Sequence, residues 1–233
     1  MSAARLQRGD SGYPAALQKY LGGRVPQLLT AVGNLDILRQ KKLALFCSVK
    51  CPGNLILQTY DLARALRDTG VTVIGGFHSP MEKECLALLL RGTQPVIICP
   101  ARGIERMRLP TEWQALLAEG CLLLLSPFAE KLRRVTADLA RKRNQFVAAL
   151  ADEVFVAHAS AGGKTERFCR NVLAWGKSLL TLESDENVHL LALGARPVQL
   201  EHIREQWAAA ISEALREGTD PRSCRTGHHG NHL

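Results

Sequence analysis

The chain reads as an α/β protein built on a doubly wound, mainly parallel sheet of Rossmann-like type. Three observations predict this. From residue 42 onward, short apolar runs alternate regularly with amphipathic stretches. The runs lack the in–out alternation of a half-exposed strand, as strands covered on both faces do. Glycine-bearing turns follow several of them, at the points where a strand would give way to a helix. At 233 residues and 46% apolar content, the chain can bury one sizeable core.

Taken in order, "KLALFC" (42–47), "VTVIGG" (71–76), "PVIIC" (95–99), "CLLLL" (121–125), "EVFVAH" (153–158) and "SLLTL" (178–182) are predicted strands. Helical periodicity fills 54–68, 80–90, 111–119, 130–150, 165–175 and 185–193 between and after them. Residues 1–40 read as a helical N-terminal extension, with "PQLLTAVGNLDILRQ" forming one or two short helices. Residues 41–218 then form the Rossmann-like core, ending in a closing helix over 198–218. The tail 219–233 lacks apolar residues except its last and is expected to be disordered.

Composition narrows the function classes. The formal charge of +8 permits a nucleic-acid or phosphate partner without requiring one. Bases crowd residues 1–50 and again 131–143, where six face only Asp138. No apolar run approaches the roughly 20 residues needed to span a bilayer, and the start lacks a secretory apolar stretch, so a cytoplasmic protein without a membrane role is expected. The seven cysteines are scattered and read as reduced thiols, with no metal and no cofactor expected.

In a doubly wound sheet, ligands bind beyond the carboxyl ends of the strands, where helix N-termini present free N–H groups. Three turns there carry suitable chemistry. In "CSVKCPGN", Ser48 and Lys50 donate to an anion and Pro52-Gly53 suits a helix opening. In "GGFHSP", Gly75 and Gly76 permit close backbone approach, Phe77 is the aromatic placed to stack, and His78 and Ser79 precede a helix. In "HASAGGKTE", Gly162, Gly163, Lys164 and Thr165 open a helix beside His158. None completes a dinucleotide or P-loop fingerprint, so each is also readable as a plain strand-to-helix connection. Arg143 poses the sharpest question. It falls in the apolar stripe of Leu132, Val135, Leu139, Phe146 and Leu150, where a guanidinium needs either a carboxylate such as Asp152 or a bound anion.

"KRNQFVAALADEVFVAHA" resembles the "RNR-I-I-A-G-L-S-D-x-V-V-V-V-E-A" block of the DprA/Smf family of DNA-processing proteins. "VTVIGGFHSPMEKECLALLL", "QPVIICPARGIERMRLP", "LLLLSPF" and "LGARPV" follow that family's order over roughly 42 to 198. On this resemblance Ser48, Gly76, Glu82, Arg143, Asn144 and Gly163 carry over. Cys47-Ser48-Val49 stands where the family has Gly-Ser-Arg, Ser79-Pro80 where it has Arg-Gly, and His158 where it has glutamate. The resemblance implies single-stranded DNA binding, in recombination or DNA uptake, delivery of that DNA to a RecA-type recombinase, and a homodimer.

The stretch 141–166 also resembles the signature of LOG-type phosphoribohydrolases, which belong to the same SLOG/LOG-type Rossmann-like superfamily and release the base from nucleoside monophosphates. There Arg143 and Glu166 would be the catalytic pair, and Gly162, Gly163 and Thr165 would hold phosphate. Lys164 replaces that signature's third glycine, and Glu166 falls off the apolar face of its helix. A non-catalytic nucleotide sensor is the third alternative. The reading adopted is a DprA/Smf-like protein that binds single-stranded DNA, or a nucleotide phosphate, without catalysis.

Overall fold

The computed structural model describes residues 3–199. Its centre is a nine-stranded sheet: β1 (Ala4–Gln7), β2 (Leu28–Gly33), β3 (Lys42–Phe46), β4 (Thr72–Gly75), β5 (Val96–Ile98), β6 (Leu122–Ser126), β7 (Glu153–Val156), β8 (Ser178–Leu182) and β9 (Arg196–Val198). The spatial order is β1-β2-β6-β5-β4-β3-β7-β8-β9. The seven strands from β6 to β9 pair in parallel, while β2 joins β6, and β1 joins β2, antiparallel. Helices α1 (Ala15–Leu21), α2 (Gly53–Leu66), α3 (Pro80–Leu89), α4 (Thr111–Ala118), α5 (Ala137–Leu150), α6 (Lys164–Ala174) and α7 (Val188–Ala192) flank it. The predicted fold class is the observed one.

Two cores, one on each face, explain the missing alternation. Leu43 and Leu45 of β3 and Phe155 of β7 turn toward α2, α3 and α4. Ala44, Phe46, Val154 and Val156 turn toward α1, α5, α6 and α7. Strand side chains do alternate, but both directions lead into apolar layers, so every position is hydrophobic.

The structure corrects the N-terminal region. Residues 28–33, expected as helix, form β2, and Ala4–Gln7 forms β1, so the first 40 residues also extend the sheet, while Ala15–Leu21 and Leu35–Arg39 are helical. The sequence "LLTAVG" suits either state; the open antiparallel edge of β6 decides between them. Gly33 has φ 116°, and a Cβ there would stand 2.3 Å from Leu122 O, so glycine is required where β2 leaves β6. The helix expected over 130–150 begins only at Ala137, capped by Thr136. Leu132 and Val135 therefore lie exposed in the preceding loop and leave the stripe. The closing helix and the tail lie outside the described residues, save that Val198 ends β9.

One buried lysine pins the sheet's far end. Lys177 Nζ donates to Ala149 O (3.0 Å) and to Ala151 O, and lies 4.0 Å from the Tyr20 ring centroid. Burial lowers its pKa from 10.5 to about 8. Between those values the unfolded chain holds a proton that the folded chain has released, so stability rises with pH across that window. Lys177→Met, which strands two carbonyls, is expected to cost about 1–3 kcal/mol at pH 8. Denaturant unfolding from pH 8 to 10 should show the wild type gaining on the variant by up to about 1.4 kcal/mol per pH unit.

Candidate functional site

The parallel sheet grows outward from β3 in one direction through β4, β5 and β6, and in the other through β7, β8 and β9. The carboxyl ends of β3 and β7 are thus the topological switch point, where this architecture leaves a crevice. The turns after these two strands meet there. Ser48 N donates to His158 O (2.9 Å), Ser48 Oγ donates to Thr165 Oγ1 (3.0 Å), and Ser160 N donates to Ser48 Oγ (3.4 Å).

The two helices that open on the crevice have no side-chain caps. Pro52 precedes α2 and Gly163 precedes α6, and neither has a side-chain oxygen to close the first turn. The first N–H groups of a helix have no intrahelical acceptor, so they remain available to an anion. Lys50, Gly53, Gly162 and Lys164 are exposed around them. Gly162 adopts φ 68°, and a Cβ on Gly163 would lie 2.7 Å from Ser160 O, which explains the glycine pair.

The neighbouring turn is closed by the protein's own anion. The Glu82 carboxylate accepts from Cys47 N (2.9 Å) through Oε1 and from His78 N (2.7 Å) and Ser79 N (3.2 Å) through Oε2. Ser79 Oγ in turn accepts from Glu82 N, completing a capping box at α3. Glu82 therefore fastens the end of β3 to the β4–α3 turn. Between them Phe77 holds φ 45°, a strained value for a residue with a side chain. Its ring is only 5% exposed and packs into the core against Gly75, so the expected stacking aromatic is a core residue. His78 is exposed.

Arg143 lies beside this clamp. It is 5% exposed and donates from Nε to Asn144 Oδ1 (2.7 Å) and from NH1 to Cys99 O (3.2 Å). The carboxylate Asp152 is engaged elsewhere, accepting from Lys42 N (2.7 Å) and pairing with Lys42 Nζ (3.4 Å). Burial lowers the Arg143 pKa, and attraction to Glu82 opposes that shift. Gly76 makes the room: a Cβ there would stand 1.3 Å from Arg143 NH1. The pairing of a bare glycine with a buried arginine is a packing unit that neither segment reveals alone.

At the third turn the structure corrects Glu166, which is buried, at 6% exposed, rather than outward. Its Oε2 accepts from Gly162 N (2.7 Å), and its Oε1 pairs with Arg170 NH2 (2.6 Å). The Gly162 N–H first, and then Arg170, hold its pKa below the ordinary carboxylate value. A carboxylate so held stays ionised and is a poor proton donor. The hydrogen bonds of Arg143 and those of Glu166 run to different partners and do not join the two residues.

Two residues at the site escape sequence reasoning. Ser160 bridges to Ser48, as above. Asn187, fully buried, donates to Ala157 O, Thr181 Oγ1 and Leu182 O, which directs its Oδ1 at His158 Nδ1 (3.1 Å). His158 must then carry its proton on Nδ1. The available signal was "SDEN": Ser184 caps a turn at 185–187, and Asn187 immediately precedes α7. The Cys47 and Cys51 thiols interact, which pushes the pKa of the buried Cys47 thiol up, with burial adding to it, and that of the half-buried Cys51 thiol down. No helix among the described residues is long and apolar enough to cross a membrane.

The strand order and the helices on both faces define a Rossmann-like α/β protein whose topological switch point lies between β3 and β7. The chain belongs to the DNA recombination-mediator protein A family, whose model matches residues 5–208, and is a DprA-like DNA-processing protein. Among solved structures, DNA processing protein A from Streptococcus pneumoniae superposes with a TM-score of 0.71 at 19% identity, covering 90% of this chain and 73% of that one. DNA processing protein A from Helicobacter pylori, a protein with a single-stranded DNA binding mode, gives 0.70 at 20% identity, covering 88% and 94%. At these identities the likeness shows the fold. No curated protein sequence matches the chain.

The contacts at the second and third turns generate two expectations. Gly76→Ala should destabilise the protein by about 1–3 kcal/mol in the wild-type background, as overpacking does, and by much less in Arg143→Ala. Equal costs in both backgrounds would show that the arginine is not what requires the glycine. Glu166→Gln should lower the melting temperature at neutral pH. Because the folded carboxylate titrates below 4.5, its contribution is present above that value and disappears as pH falls through the depressed pKa. Melting curves of both proteins should therefore converge in acid.

Proposed function

We propose that this protein binds single-stranded DNA by its phosphates, in the crevice between the β3–α2 and β7–α6 turns. The observation that carries the reading is the convergence there of two uncapped helix N-termini, each with an exposed lysine beside it, Lys50 and Lys164. Ser48, Gly53, Gly162, Gly163 and Thr165 supply small or hydroxyl-bearing contacts around the bound phosphate. Glu82 already satisfies the turn at α3, and Glu166 takes the Gly162 N–H before α6, which leaves the first-turn N–H groups of α2 and α6 themselves as the donors for a phosphate. Arg143 adds positive potential on the same edge of the sheet, and Asn144 fixes its Nε. The His158 carbonyl accepts from Ser48 N and so joins the turn after β7 to the turn after β3.

The single-stranded DNA binding mode of the Helicobacter pylori protein supports the choice of ligand. The wider proposal follows the family resemblance: a homodimer acting in the cytoplasm in recombination or DNA uptake, delivering its strand to a RecA-type recombinase. A fluorescently labelled oligodeoxythymidylate titrated at several salt concentrations tests the binding. Affinity should fall with a log–log slope of about −0.7 per phosphate neutralised, and Lys50→Ala or Lys164→Ala should each flatten that slope by about one such step. An absence of binding at low salt would overturn the reading. Full binding by both variants would overturn the location.

A further inference from the structure

Next to the crevice, a groove of about 570 Å³ runs between the N-terminal halves of α2 and α3. Its walls are Ile56 and Tyr60 from α2 and Pro80 and Met81 from α3. Lys50, Lys83 and Glu84 stand at its rim. The volume is that of a small-molecule site and far below what a folded partner requires. The groove begins at Val49, an apolar side chain left 74% exposed at the tip of the β3–α2 turn. Its backbone neighbour on one side, Ser48, faces the crevice, and on the other Lys50 faces the groove. One turn thus separates an anion-receptive surface from an apolar slot.

We propose that this groove is a nucleobase subsite, taking the base attached to a phosphate held at the β3–α2 turn. The inference rests on the reading above and deepens it. The chemistry fits a flat heteroaromatic ring better than an aliphatic ligand. Tyr60 offers a ring face, Met81 a polarisable thioether and Pro80 a flat ring edge, while Glu84 accepts from exocyclic amines at the open side. Two lysines at the rim suit a ligand that continues in both directions as a charged backbone. The half-buried Cys51 thiol also lines the groove, and as a weak hydrogen-bonding group it discriminates little between base edges, so binding here tolerates different bases. The subsite also moves the stacking function from Phe77, which is in the core, to Tyr60, which is half-buried and lines the groove.

The test compares an oligodeoxythymidylate with a strand of equal length made of abasic tetrahydrofuran units. Wild-type protein should prefer the base-bearing strand about tenfold, and Tyr60→Ala should erase that preference while keeping the salt slope. Photo-cross-linking of the wild type to a strand with one 5-iodouracil should yield an adduct on Tyr60 or Met81, which keeps the test decisive if the variant misfolds. Equal affinity for the two strands, or adducts mapping only outside the groove, would overturn the subsite and leave phosphate binding standing. Binding of neither strand would overturn the proposed function and the subsite together.

Discussion

The Glu82 carboxylate organises the carboxyl edge of this sheet. Three backbone N–H groups from two separate turns converge on it, one from the end of β3 and two from the entry to α3. Unpaired, each would cost roughly 1–3 kcal/mol at a buried position. Held together, they fix the relative height of the β3–α2 and β4–α3 turns. They also over-determine the backbone between Gly75 and Ser79, which allows Phe77 to keep its left-handed conformation and bury its ring. The same carboxylate attracts the buried Arg143 guanidinium and opposes the lowering of its pKa by burial.

From that clamp follows a division among the helix openings. At α3 and α5 the first turn is closed by Ser79 and Thr136, and these helices serve as scaffold. At α2 and α6 the residue before the helix is proline or glycine, and the first-turn donors are left to solvent or ligand. The Ser48–Thr165 hydrogen bond ties the two open turns to each other, and Asn187 braces the β7 side through His158. The two turns are held to each other by neutral hydrogen bonds, while the charge beside them comes from the exposed Lys50 and Lys164. That combination suits a phosphate chain, which presents the same group repeatedly and demands no single geometry.

The core strands were legible because their apolar runs are uninterrupted and their turns carry glycine or proline in positions with a mechanical reason. Arg143 was legible as an anomaly, since Leu139, Phe146 and Leu150 do form one buried face of α5 around it. Its environment was not. Asp152, near in sequence to the end of α5, is bound to Lys42 across the sheet, and the groups that do meet Arg143 come from Cys99 and Gly76. Glu166 shows the same gap. Hydrophobic periodicity puts an acidic residue outside, but a hydrogen bond to Gly162 folds it back over its own helix entrance. Phe77 erred in the other direction, because a loop aromatic looks exposed until its ring finds the gap above Gly75.

What the sequence determined by itself was the class of fold, the position of six core strands along the chain, and the three turns at which chemistry could sit. Those are set by local apolar patterning and by backbone requirements at glycine and proline, which act within a few residues. Tertiary structure alone decided the rest. It recruited β1 and β2 to the sheet, because a free edge on β6 rewards any extended partner. It chose which turns are sealed and which stay open, because Glu82 reaches N–H groups 35 residues away at Cys47 as well as those beside it. Contacts of that span depend on where the chain returns, and no local pattern encodes the return.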